Sequence, residues 1–151
     1  MKVDRPGYSG QIYKSAGLRQ HAEFVLRTLD KLKDQFDFVV VRGKSGMAVA
    51  FAALAMGADF PLVTIRKGES SHGQHIEGIA EGTRYVVVND LIDTGSTLHI
   101  IHDDLGTYAE NMRQERPRMV AVLLYAMRPW ENPTWDLDGQ YEAVAVIGGQ
   151  Q

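Results

Sequence analysis

Apolar runs alternating with helical patterns constrain the fold of this chain more than any other feature. Residues 36–42 hold Phe38, Val39, Val40 and Val41, and residues 60–66 hold Leu62, Val63 and Ile65. Residues 84–90 centre on Val86, Val87 and Val88, and residues 119–125 and 141–147 are two further runs. Continuous apolar runs suit strands buried on both faces, as in a parallel sheet. Between them lie helical periods. Leu18, Ala22, Val25, Leu26, Leu29 and Leu32 form one stripe, and Leu98, Ile101, Leu105, Tyr108 and Met112 form another. Residues 47–56, apolar nearly all round, read as a helix buried against the sheet. Strands alternating with helices imply right-handed crossovers. The expected fold is α/β, a single-domain, mostly parallel twisted sheet with helices on both faces. A chain of 151 residues has the length of one ordinary domain. Residues 1–15 read as an irregular lead-in.

Ligands of such sheets bind at the carboxyl ends of the strands. The places to search are therefore residues 42–46, 66–83, 89–97 and 126–136. Composition narrows the chemistry. The chain has no cysteine, so disulfides, thiolate metal sites and cysteine nucleophiles are excluded. A net charge of −3 gives no basic footprint for nucleic acid, so an anionic ligand must be held locally. No apolar run reaches the ~18 residues of a membrane span, and Met1 to Gly7 have no apolar signal core. A cytoplasmic protein without a membrane partner is the simplest expectation.

The segment Val86-Val87-Val88-Asn89-Asp90-Leu91-Ile92-Asp93-Thr94-Gly95-Ser96-Thr97 carries the strongest signal. An apolar strand ends in polar acceptors, and a short turn rich in hydroxyls leads into a helix. Backbone N–H groups at a helix start lack partners, and the helix dipole adds partial positive charge there. Gly95 allows close approach of an anion, and Thr94, Ser96 and Thr97 add hydroxyl donors. The segment reads as a phosphate cradle, with Asn89 and Asp90 placed to accept hydrogen bonds from sugar hydroxyls. The alternative is that Ser96 or Asp93 caps the helix and Gly95 merely makes a turn.

Residues 86–97 resemble the ribose-phosphate signature of type I phosphoribosyltransferases: four apolar residues, two acids, two apolar residues, a variable position, then Thr, Gly, any residue and Thr. The resemblance in strand and helix order extends over about residues 16–147, but only this segment is specific. It implies that Asp90 helps hold the ribose hydroxyls of phosphoribosyl pyrophosphate, and that Thr94, Gly95, Ser96 and Thr97 wrap its 5′-phosphate. The first acid is Asn89 here, a departure that makes the tip less negative. The variable position is Asp93. Members acting on 6-oxopurines carry Asp there, near N7 of the purine, where it serves as general base. Phosphoribosyl pyrophosphate synthetases carry it too. The motif is thus closest to 6-oxopurine (hypoxanthine, guanine or xanthine) phosphoribosyltransferases.

Other loops support this resemblance. Arg42-Gly43-Lys44-Ser45-Gly46 reads as a tight turn and resembles the family's pyrophosphate loop, a nest of N–H groups with Arg42 and Lys44 adding charge. A nucleotide-binding P-loop is excluded, because its first glycine would fall on Phe38. A plain β-turn with solvated charges is the alternative. Residues 67–83 match the family's flexible lid in position. Arg66, Lys67, Ser70, Ser71 and His72 are donors suited to a pyrophosphate leaving group, with Gly68 and Gly73 as hinges. His72 and His75 have no cysteines or established acidic cluster beside them to make a metal site, and His99 and His102, which share a helix face at i, i+3, read as surface residues. Residues 128–140 are the expected base-pocket loop. Trp130 or Trp135 would stack on the base, unless they serve core or dimer packing, and Arg128 would reach its oxygen. The lysine that the family places at the end of the fourth strand is missing; Tyr125-Ala126-Met127 stands there.

The resemblance implies transfer of ribose 5-phosphate from phosphoribosyl pyrophosphate to a nitrogenous base, a 6-oxopurine by motif, with release of pyrophosphate. Mg²⁺ would be the cofactor, held through substrate oxygens with Asp90 as a candidate contact. A homodimer is expected, as in other members. The competing expectation is a regulatory protein that binds a nucleotide or phosphoribosyl pyrophosphate without chemistry. Asn89 and the missing lysine favour that alternative, while Asp93 and the lid with its Arg66 and Lys67 weigh against it.

Overall fold

The computed structural model describes residues 14–67, 76–92, 95–128 and 143–148. Helix α1 (Ser15–Leu32) precedes strand β1 (Phe38–Arg42), helix α2 (Lys44–Ala55), β2 (Leu62–Ile65), β3 (Ile76–Glu77) and β4 (Arg84–Asn89). Helix α3 (Ser96–Asn111), β5 (Arg118–Leu124) and β6 (Val144–Ile147) complete the order. The six strands form one sheet in the order β3-β2-β1-β4-β5-β6. Neighbouring strands run parallel, except that β3 is antiparallel to β2. The chain has the mostly parallel architecture that the alternation of runs predicts.

Strand alternation divides the core into two layers. On one face Phe38, Val40, Val63, Ile65, Tyr85, Val87, Val122 and Leu124 pack with Leu98, Ile101 and Leu105 of α3. On the other, Val39, Val41, Val86, Val88, Ala121 and Leu123 pack with Ala22, Val25 and Leu29 of α1 and with Val49, Ala50 and Ala53 of α2. Both faces are covered, which is why β1 and β4 read as unbroken valine runs. In β5 the register slips: Tyr85 pairs with Met119 and Val86 with Ala121. The extra residue, Val120, lets Met119 and Ala121 serve opposite core layers.

Four sequence expectations need correction. Lys44, Ser45 and Gly46 do not form a separate turn; they are the first turn of α2, and Gly43 is its N-cap. The apolar run that follows Gly46 belongs to the same continuous helix, which starts at Lys44, directly after the strand end. Helix α2 is also less buried than its composition suggests, because only Gly46, Val49, Ala50 and Ala53 reach the core and Phe51 is 53% exposed. Finally, residues 67–83 contain strand β3, whose two residues are too few for alternation to reveal. The stripe of α3 also ends early, with Met112 exposed.

The sheet order places β1 between β2 and β4. The chain moves outward from β1 to β2, then returns to build β4 on the other side. The carboxyl ends of β1 and β4 therefore flank the topological switch point, where open α/β sheets leave a crevice.

Candidate active site

Strand β4 delivers Asn89 and Asp90 to the crevice. The Asn89 side-chain amide donates to the Leu91 carbonyl at 3.0 Å, and the Leu91 N–H donates to Asp90 Oδ1 at 2.6 Å. Two backbone bonds strap the exit of β5 onto this tip. Tyr125 N–H donates to the Asn89 carbonyl at 3.2 Å, and Ala126 N–H to the Asp90 carbonyl at 2.9 Å. Burial raises the Asp90 carboxyl above its ordinary value, and the Leu91 N–H partly opposes this.

Ser45, in the first turn of α2, comes to the same place. Its Oγ lies 2.6 Å from Tyr125 Oη and 3.5 Å from Asp90 Oδ2, the second distance at the outer limit of a hydrogen bond. Tyr125 is fully buried, and its ring sits against the His21 imidazole of α1 with centroids 5.1 Å apart. Burial pushes the phenol far above its ordinary range, so it stays protonated. Burial also lowers the pKa of His21, while a hydrogen bond with the Tyr125 backbone opposes this.

Beside this cluster stands the start of α2. Gly43 has φ 96° and ψ 167°, a region essentially closed to other residues. Lys67 lies over it. A Cβ built on Gly43 would meet Lys67 Cε at 2.9 Å and Nζ at 3.2 Å. Lys44 is exposed, and Arg42 Nε is buried without a hydrogen-bond partner. Gly46 is pressed against β4, where an added Cβ would stand 3.1 Å from the Val88 carbonyl oxygen. Arg42, Gly43 and Lys44 are consecutive at the start of α2, and Lys67 lies over Gly43. Arg66 is not a free donor: its guanidinium bonds and ion-pairs with Glu77 of β3.

The second helix start belongs to α3. Gly95 is its N-cap, with φ 81°, and no side chain makes a cap hydrogen bond. Leu98 N–H and His99 N–H both donate to the Gly95 carbonyl. Ser96 is the first helical residue and Thr97 follows it, so of the two caps that the alternative reading offered, Ser96 is not the N-cap. Asp93, Thr94, Trp130 and Trp135 lie outside the described residues, as do residues 68–75 of the expected lid and 129–140 of the expected base-pocket loop. Arg128 is exposed at the exit from β5.

Among the described residues no group of three histidines, cysteines or acids is placed to hold a metal ion. The donor set at the β4 tip is one carboxylate, with one oxygen already accepting from Leu91 N–H. It suits a magnesium ion carried largely by substrate oxygens and water, not a cage built by the protein. Sequence reasoning missed the parts played by Tyr125, Ser45 and His21. Tyr125 offered the one available signal, a polar tip closing an otherwise apolar strand.

No protein-family model matches the chain. Among curated proteins it is 30% identical over 99 residues to an HGPRTase-like protein of Halobacterium salinarum, a match covering 55% of this chain and 52% of that protein. The chain thus spans about half the length of this relative. It is 28% identical over 172 aligned positions to HGPRTase-like protein 2 of Haloferax volcanii, covering 96% of this chain and 86% of that one. Among solved structures it is similar to orotate phosphoribosyltransferase of Francisella tularensis, with a TM-score of 0.64 and 16% identity over 92% of this chain and 70% of that one.

Proposed function

We propose that this chain, which has the type I phosphoribosyltransferase fold, transfers ribose 5-phosphate from phosphoribosyl pyrophosphate to a nitrogenous base. The observation that carries this reading is that the adjacent parallel strands β1 and β4 each lead at their carboxyl ends toward a glycine-capped helix start, after Gly43 and after Gly95. Asp90 follows the tip of β4, with Ser45 of the first of these helices 3.5 Å from its carboxylate. Each start offers backbone donors and the positive end of a helix dipole. A ligand with a phosphate at each end and a diol between them complements this arrangement.

The 5′-phosphate goes to the first turn of α3, on the backbone of Gly95, Ser96 and Thr97 with the Thr94 hydroxyl. The ribose hydroxyls go to Asp90 and Asn89. The pyrophosphate goes to the start of α2, facing Arg42, Lys44 and Lys67, with Arg66 recruited if Glu77 releases it. The bond from C1′ to the pyrophosphate oxygen breaks, a bond from C1′ to a ring nitrogen forms, and the proton lost by the base passes to Asp93. The reacting ribose centre is cation-like, so the part of the expected lid that precedes β3 would close to exclude water. Fixed donors and exact placement supply most of the rate, because little covalent work falls to the protein. Mg²⁺, when bound with the substrate near Asp90, would neutralise the pyrophosphate charge.

A 6-oxopurine is the proposed base. Asp93 at the variable position supports it, as do the names of the haloarchaeal relatives. Trp130 or Trp135 would stack on the base and Arg128 would meet its oxygen. A homodimer is proposed as well, with exposed Phe51 on α2 and Met56 at its C-cap as apolar surface to bury. Among the described residues, no helix is long and apolar enough to cross a membrane.

The test is a pyrophosphate-release screen over purines and pyrimidines with the parent chain, Asp93→Asn and Asp90→Ala. Turnover on hypoxanthine, guanine or xanthine that falls about tenfold or more in both variants is expected, the size of a lost acid–base or charge-assisted contact. Binding of phosphoribosyl pyrophosphate with no turnover on any base would replace the enzyme by a regulator.

A further inference from the structure

Ser45 lies in α2, while Asp90 and Tyr125 are the residues that directly follow β4 and β5, so the three share no local sequence. Their polar atoms form a chain: 2.6 Å from Tyr125 Oη to Ser45 Oγ, then 3.5 Å from Ser45 Oγ to Asp90 Oδ2. Chemistry sets its direction. A carboxylate only accepts hydrogen bonds, and a serine hydroxyl has one proton to give. If Ser45 points its proton at Asp90, the proton between Ser45 and Tyr125 must come from the phenol. The Tyr125 ring has no rotational freedom to spare, because it is fully buried and held against His21. The other oxygen of Asp90 is fixed by the Leu91 N–H at 2.6 Å. The carboxylate plane is thus held from both sides.

We infer that Tyr125 is a positioning residue: its phenol orients the Ser45 hydroxyl, and Ser45 in turn fixes Asp90 for the ribose diol. The inference rests on the phosphoribosyl reading for its substrate, while the relay itself is a property of the ligand-free chain. The relay also gives the end of β5 a task that differs from the family's base-contacting lysine. The side chain at 125 turns toward α1 and α2, where it joins the core layer of Val39, Val86 and Leu123.

Tyr125→Phe removes one oxygen and keeps the ring against His21. Calorimetry should show phosphoribosyl pyrophosphate and ribose 5-phosphate binding about fivefold more weakly, the effect of one lost hydrogen bond. Inorganic pyrophosphate should bind as to the parent chain. In an Asp90→Asn background, Tyr125→Phe should add nothing further, because it acts through that carboxylate. Equal weakening of both ligand types, unchanged affinity, or full additivity with Asp90→Asn would each overturn the role.

Proton magnetic resonance of the ligand-free protein judges the relay separately. A slowly exchanging hydroxyl proton should be lost in Tyr125→Phe and should shift in both Ser45→Ala and Asp90→Asn. A signal indifferent to Asp90→Asn would mean that the carboxylate is not the end of the chain. If the parent chain binds no phosphoribosyl pyrophosphate, the substrate reading fails, and the relay stands or falls on this spectrum.

Discussion

Gly43→Ala strikes the start of α2, where backbone conformation and proposed ligand binding depend on one residue. With φ 96° and ψ 167°, the native backbone lies where an alanine is strained by about 1–3 kcal/mol. The new methyl would also meet Lys67 Cε at 2.9 Å. That atom is near the tip of a flexible side chain, so it swings aside at little energetic cost. Its departure removes the ammonium from above the loop. The expected loss of stability is therefore about 1–3 kcal/mol, a shift of ~2–4 °C per kcal/mol in a chain of this size. Affinity for inorganic pyrophosphate should fall about tenfold as the nest reorients and Lys67 moves. Urea unfolding reads the first quantity and calorimetry the second. Gly57→Ala is the control. It sits past the other end of α2 at φ 102°, with nothing within 4 Å of an added Cβ. It should lose stability without any change in affinity. If Gly43→Ala is destabilised yet binds pyrophosphate as the parent does, the start of α2 is not the leaving-group site.

Three further outcomes are expected. Leu105→Ala, at a position 1% exposed between α3 and the sheet, should cost about 2–5 kcal/mol in urea unfolding. Asp37 is held below its ordinary value, chiefly by the Arg84 guanidinium and also by two backbone N–H donors. Its contribution is therefore complete above the unfolded carboxyl value and is lost as pH falls through the depressed folded one. Urea midpoints measured from pH 7 down to pH 2 should drop less steeply in Asp37→Asn than in the parent. Arg66→Ala breaks an exposed pair with Glu77 and should change stability by no more than ~1 kcal/mol. The same substitution should weaken pyrophosphate binding if Glu77 releases Arg66 to the ligand, and calorimetry separates the two effects.

The valine runs at 39–41 and 86–88 reveal the fold because β1 and β4 are covered on both faces, so neither needs a polar alternation. The helix stripes were equally readable, since Ala22, Val25 and Leu29, and later Leu98, Ile101 and Leu105, each face one core layer. Strand β3 was hidden, because two residues held by an edge pairing leave no period. The start of α2 was misread for a related reason. Gly43-Lys44-Ser45-Gly46 has the composition of a turn, but the following helix and its packing on the Val88 carbonyl decide its conformation. At the candidate site, Asp90 and Gly95 belong to one local motif, which a sequence can display. The relay through Ser45 and Tyr125 joins residues 80 positions apart, and only the sheet order brings them together. Likewise the engagement of Arg66 by Glu77 depends on the antiparallel edge that the sequence did not reveal.

A crystal structure of the chain soaked with phosphoribosyl pyrophosphate and Mg²⁺ bears most directly on the central proposal. The 5′-phosphate should sit on the backbone N–H groups that open α3 at Gly95, Ser96 and Thr97. The ribose hydroxyls should lie on Asp90, and the pyrophosphate over Gly43 beneath Lys67. Density for the ligand anywhere other than the crevice between β1 and β4, or with its 5′-phosphate away from α3, would contradict it.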